Sequence, residues 1–107
     1  MQAVQVPKIL YFSGSLGVER ASALKDELAT ALEGDSAVLL NLSSIEDIDL
    51  SCLQVLRAAK ASAMALGKEL HFTGSLPSGV VSRLLSCGFL RRGSERSEDL
   101  ESTLGSE

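Results

Sequence analysis

The chain has 107 residues, 45% of them hydrophobic and 22% charged, with two cysteines and one histidine. That is about one domain's worth, apolar enough to bury a core without disulfides or metal, which excludes general disorder and disfavours a second domain. The formal net charge of −4 is unevenly placed: residues 1–92 balance nine acids against nine bases, while residues 93–107 carry five acids and Arg96 alone. A neutral body without a basic stripe argues against a duplex nucleic acid partner.

No apolar run approaches the roughly 20 residues needed to span a bilayer, and Met1–Pro7 has neither the basic nor the apolar region of a leader, so a cytoplasmic, non-membrane-spanning protein is expected. Ala3–Val6 alternates weakly ahead of Pro7, consistent with an edge strand or none. Lys8–Phe12 reads as the first strand, stopped by Ser13-Gly14-Ser15. Val18, Ala21, Leu24, Leu28 and Leu32 then recur at helical spacing through Glu33, with Gly34 in the place of a C-cap glycine.

Ala37–Leu42 is nearly continuous in apolar residues, as a central strand covered on both faces should be. A polar connection over residues 43–49 leads to a second helical stripe, Leu53, Leu56, Ala59, Ala63 and Leu66, ended by Gly67. Lys68–Thr73 alternates with period two, and Pro77 opens a third helix whose stripe of Val80, Val81, Leu84 and Leu85 runs to Cys87 before Gly88. Strand, helix, strand, helix, strand, helix implies crossover connections, so the fold class is α/β with a mostly parallel central sheet and helices packed on it. The domain is expected to span residues 1–92. The Ser- and Glu-rich tail 93–107, with only Leu100 and Leu104 apolar, is expected to be disordered.

Signatures of catalysis are missing. Gly14-Ser15-Leu16-Gly17 lacks the Lys-Ser/Thr ending of a phosphate-binding loop, no Gly-x-Ser-x-Gly elbow occurs, and His71 has no nucleophile partner in sequence. Cys52 and Cys87 stand 35 residues apart without ligand spacing, so both read as reduced thiols and neither zinc nor any cofactor is expected. Glu46, Asp47 and Asp49 are read as a solvated loop with a helix-capping acid rather than as a divalent-cation site, because the central strand ends in Asn41-Leu42-Ser43 without an acid. The next segment, Asp49-Leu50-Ser51-Cys52-Leu53-Gln54, carries the most information. Ser51 and Gln54 fit an S-x-x-Q capping box, and a serine at a helix N-terminus is also a place where phosphate is tolerated.

Val38 to Leu56, an apolar strand followed by Ser43-Ser44-Ile45-Glu46-Asp47-Ile48 and then Asp49-Leu50-Ser51-Cys52-Leu53, resembles the core signature of the STAS domain. That pattern is an apolar strand ending in Asp-Leu, a short loop, and Asp-Ser-Ser-Gly-Leu opening a helix. The likeness covers roughly residues 6–92. It implies a non-catalytic interaction module of the anti-sigma-factor-antagonist type, in which the serine at position 51 is phosphorylated by a kinase that is also the binding partner. The docking surface it implies comprises Asp47, Asp49, Leu50, Ser51, Cys52 and Gln54. Leu50 replaces the family's first Ser, Cys52 its Gly, and Asn41 a strand-end Asp. An alternative of a different class is a constitutive subunit or adaptor of a lipid-transport ABC system or a chemotaxis-type complex, with Ser51 only a helix cap.

Overall fold

The computed structural model describes residues 6–93 and 95–105. Three strands, β1 (Lys8–Leu16), β2 (Ala37–Ile48) and β3 (Glu69–Thr73), form one parallel sheet in the order β1-β2-β3. Each crossover carries a helix: α1 (Ala21–Gly34), preceded by a short 3-10 turn at Val18–Arg20, and α2 (Leu50–Ala65). Two more helices follow β3, α3 (Ser78–Ser86) and α4 (Ser97–Gly105). The α/β class and the parallel sheet are those expected of the alternating sequence pattern. The strand considered at Ala3–Val6 lies outside the described residues apart from an exposed, unstructured Val6.

Alternation places Leu10, Phe12, Val38, Leu40, Leu42, Leu70 and Phe72 on the buried face of the sheet. Leu24, Leu28 and Leu32 from α1 and Leu53, Leu56 and Ala63 from α2 complete the same core. The opposite face carries the rows Ile9–Leu39–His71 and Tyr11–Asn41–Thr73, of which Ile9 and Tyr11 are exposed. The two ends of the second helical stripe differ: Leu53 is buried, whereas Leu66 lies past the last turn and is exposed.

Three boundaries depart from expectation. β1 does not stop at Ser13; it runs to Leu16 through register shifts at Tyr11/Ser13 and Gly14/Ser15, at each of which β2 carries one extra residue and the pairing resumes. β2 likewise continues through the polar stretch expected to be a connection, because Ile45 and Ile48 each find a buried place beside the lengthened β1. Gly34 is the last helical residue of α1 and not a left-handed cap; Asp35 caps that helix in an extended conformation. Gly67 and Gly88 do adopt positive φ, +68° and +81°, and close α2 and α3 as anticipated.

The largest correction concerns the tail. Residues 97–105 are not disordered but form α4, which packs on β3 and α2 and buries Ser97, Leu100 and Leu104. Leu100 and Leu104 stand one helical turn apart on the face that meets the core, and this pair supplies the apolar stripe that the acidic composition concealed. Asp99 accepts from the Arg96 N–H at 2.9 Å and so caps the start of the helix.

Candidate functional site

The extension of β2 decides where α2 begins. Ile48 pairs with Leu16, and the Asp49 N–H donates to the Leu16 carbonyl at 3.1 Å, so the chain leaves the sheet at Asp49 and turns directly into the helix. Asp49 is extended (φ −102°, ψ 175°), and its Oδ1 accepts from the Cys52 N–H at 3.2 Å. Asp49 is therefore the N-cap. The capping box expected of Ser51 and Gln54 is not formed: Ser51 lies at the second helical position, two residues past the cap. Asp49→Ala should accordingly cost about 0.5 to 2 kcal/mol in a denaturant titration, with Ser51→Ala nearly silent.

Around this helix start the chain displays apolar surface. Leu50, in the first turn, is exposed, and so is Val18 in the 3-10 turn that packs against α2. The turn is held by Arg20, whose Nη1 donates to the carbonyls of Ser13 and Ser15 at 2.6 and 3.3 Å. Neither Val18 nor Arg20 was singled out in the sequence, where Val18 reads as the first residue of a core stripe. What marks it as surface is only its place ahead of the first full helical turn.

The six residues expected at the docking surface divide. Asp49, Leu50, Ser51 and Gln54 come together at the start of α2, with Leu50 and Gln54 exposed and Ser51 half-buried. Cys52 does not join them. It is fully buried, its Sγ–H donates to the Gly17 carbonyl at 3.4 Å, and burial, followed by the nearby Asp49 charge, pushes its thiol up. It is thus a packing residue that pins the loop after β1 to α2, replacing contact surface with core. Cys87, read as a small hydrophobe, is exposed.

Asp47 faces another way. Its carboxylate takes a bidentate fork from Arg83 on α3, Nε to Oδ1 at 2.5 Å and Nη2 to Oδ2 at 2.8 Å, and also accepts from the Ile48 N–H at 2.9 Å. The Arg83 guanidinium holds the Asp47 carboxyl below its ordinary value, and Asp47 in turn raises Arg83. The acid cluster thus serves an ion pair and a helix cap. Among the described residues no group of three His, Cys, Asp or Glu side chains is placed to hold a metal ion.

From Ser51 a groove of about 510 Å³ runs between α1 and α2, lined among others by Lys25, Leu28 and Leu32 on one side and Ser51, Val55 and Ala59 on the other. Small residues on α2 leave this seam unfilled. Its chemistry is that of a mainly apolar contact surface with Lys25, Glu33, Ser51, Gln54 and Ser62 as its polar members.

Comparison with known proteins bears on the family and the fold. The family model described as Mlab, STAS domain matches residues 2–88. A crystal structure of a Thermotoga maritima protein described as an anti-sigma factor antagonist superposes with a TM-score of 0.58 at 25% identity, covering 79% of this chain and 74% of that one. No curated protein matches the sequence significantly.

Proposed function

The chain belongs to the STAS domain family, and from that premise we propose that it is a regulatory module that docks a protein partner at the start of α2, switched by phosphorylation of Ser51. The observation that carries this reading is the helix start itself. Ser51 is half-buried next to exposed Leu50, in a helix whose first turn is capped by a different residue and against which the 3-10 turn carrying exposed Val18 packs. Its hydroxyl is therefore not consumed by the fold. The fold of the Thermotoga maritima protein supports the antagonist-like assignment.

Phosphate on Ser51 would add a charge of about −1.5 to −2 beside the N–H groups at the helix N-terminus, where an anion is favoured, and next to Lys25 in the same groove. The helix survives that addition; an apolar contact centred on Leu50 and Val18 does not, because an approaching partner must desolvate the anion. The partner that fits is a protein, in the antagonist-type reading a serine kinase that both binds and modifies this surface. No helix among the described residues is long and apolar enough to cross a membrane.

A second reading has its own observation. Cys52 and Leu50 fill the positions where the family pattern has a glycine and a serine, and Cys52 locks the loop after β1 onto α2. A closed, rigid helix start suits a constitutive subunit of a larger assembly, with Ser51 one contact among several. Two substitutions separate the readings. In a switch, Ser51→Asp should weaken partner association at least tenfold, while Ser51→Ala binds like the parent and resists release by the kinase. In a constitutive subunit all three proteins bind alike, and mass spectrometry of native material finds no phosphate on Ser51.

A further inference from the structure

The outer edge of β3 is covered in an unusual way. In a parallel ladder, one residue opposite His71 would donate its N–H to the Leu70 carbonyl and accept from the Phe72 N–H. Both positions are occupied by side chains: Lys60 Nζ from α2 donates to the Leu70 carbonyl at 2.5 Å, and Glu101 Oε1 from α4 accepts from the Phe72 N–H at 2.7 Å. Lys60 and Glu101 also bond each other at 2.7 Å, and Glu101 Oε2 meets His71 Nδ1 at 2.9 Å. The ion pair thus stands in for the peptide unit of an absent strand. Both side chains are largely withdrawn from solvent, at 14% and 17% exposure, under a helix anchored by Leu100 and Leu104.

We infer that α4 is a latch over a strand-pairing edge, and that the occupant this edge accepts when the latch is released is β3 of a second copy of the chain. The sequence Glu69-Leu70-His71-Phe72-Thr73 is nearly symmetric about His71, polar–apolar–His–apolar–polar. Antiparallel pairing about a two-fold axis at His71 sets Leu70 opposite the second copy's Phe72, and Phe72 opposite its Leu70. These are the residues whose N–H and C=O groups point outward, so two hydrogen-bonded pairs form and two Leu–Phe contacts continue the core across the junction. His71 faces its own copy at the non-hydrogen-bonded position. The result is a self-complementary junction that closes on a two-fold axis and joins two three-stranded sheets into one. An unprotected edge is a hazard for any sheet, and a short strand covered by a charged clamp is how this chain keeps its own edge silent.

The test uses the full chain carrying Leu100→Ser with Leu104→Ser, which ejects α4 without leaving exposed leucines to associate by themselves. Sedimentation velocity over a hundredfold range of concentration should show the variant at twice the mass of the parent, with the Leu70 and Phe72 amides protected from hydrogen exchange in the assembled form. Adding His71→Lys places two ammonium groups face to face at the axis and should return the variant to the parent mass. A folded variant that keeps the parent mass throughout, or an assembly that survives His71→Lys, overturns the inference. Should the double variant fail to fold by circular dichroism, Glu101→Lys, which sets a cation against Lys60 while keeping both leucines, is judged by the same outcomes.

Discussion

Leu100→Ala should lower stability by about 2 to 5 kcal/mol, the cost of removing a buried leucine side chain and leaving a cavity. Leu100 is 1% exposed in a helix that packs on both β3 and α2, so the space it leaves lies in the core among these elements and cannot collapse cheaply. Glu98→Ala, on the exposed side of the same helix, gives up an exposed ion pair with Arg96 and a hydrogen bond from Ser97, and should cost no more than about 1 kcal/mol. Urea titrations of the two variants against the parent decide the matter. Equal midpoints for all three would mean that α4 is not part of the cooperative unit.

That helix marks the limit of what the sequence discloses. The strand–helix alternation, the stripes Leu24–Leu28–Leu32 and Leu53–Leu56–Ala63, and the apolar run Val38–Leu42 are legible because each repeats a single period over several turns or residues. In α4 two leucines among acids and serines are too few for periodicity to register, and the burial depends on a surface that only β3 and α2 together provide. A tertiary partner made the helix, as it does for most short helices.

For the site, the polar stretch ahead of α2 matters more than the tail. Ser43 to Asp47 is polar and reads as a loop by composition, yet Ile45 and Ile48, three residues apart with an extra β2 residue between them, carry the strand onward beside the lengthened β1. That one extension moves the helix start to Leu50 and gives the cap to Asp49. Ser-x-x-Gln is a valid capping pattern, but Asp-x-x-Cys three residues apart competes with it, and the pairing of Ile48 with Leu16 settles the choice. Asp49, Leu50, Ser51 and Gln54 are grouped by the resemblance to the STAS signature and by their closeness in the chain. The burial of Cys52 cannot be read that way, since its contact is with Gly17, 35 residues away. The Asp47–Arg83 fork, spanning 36 residues, was equally invisible, as no local pattern links them.

The clamp on α4 makes its docking dependent on pH at both ends of the range, with opposite signs. Glu101 has its carboxyl held below the ordinary 4.5: burial opposes this, but hydrogen bonds from Lys60, His71 and the Phe72 N–H together outweigh it. A depressed carboxyl pKa contributes stability that is complete above 4.5 and is lost as pH falls through the lower folded value. His71 has its pKa raised from 6.5, chiefly by the hydrogen bond to Glu101 and further by Glu69. Its contribution is complete below 6.5 and is lost as pH rises through the higher folded value. Both terms are therefore present together between about 4.5 and 6.5, where α4 should be most firmly docked. Asp47, held down by Arg83, also lends the parent an acid limb, so the comparison must be made against a variant. Glu101→Gln keeps the shape of the side chain, leaves Lys60 without its carboxylate, and should cost about 1 to 3 kcal/mol at pH 5.5. Because the glutamine neither titrates nor holds the imidazolium, the gap between parent and variant should narrow toward pH 3 and again toward pH 9, tracing a bell. Stability curves that stay parallel across that range would show that Glu101 is not ionised against Lys60 and His71 in the folded chain, and the charged clamp would fall.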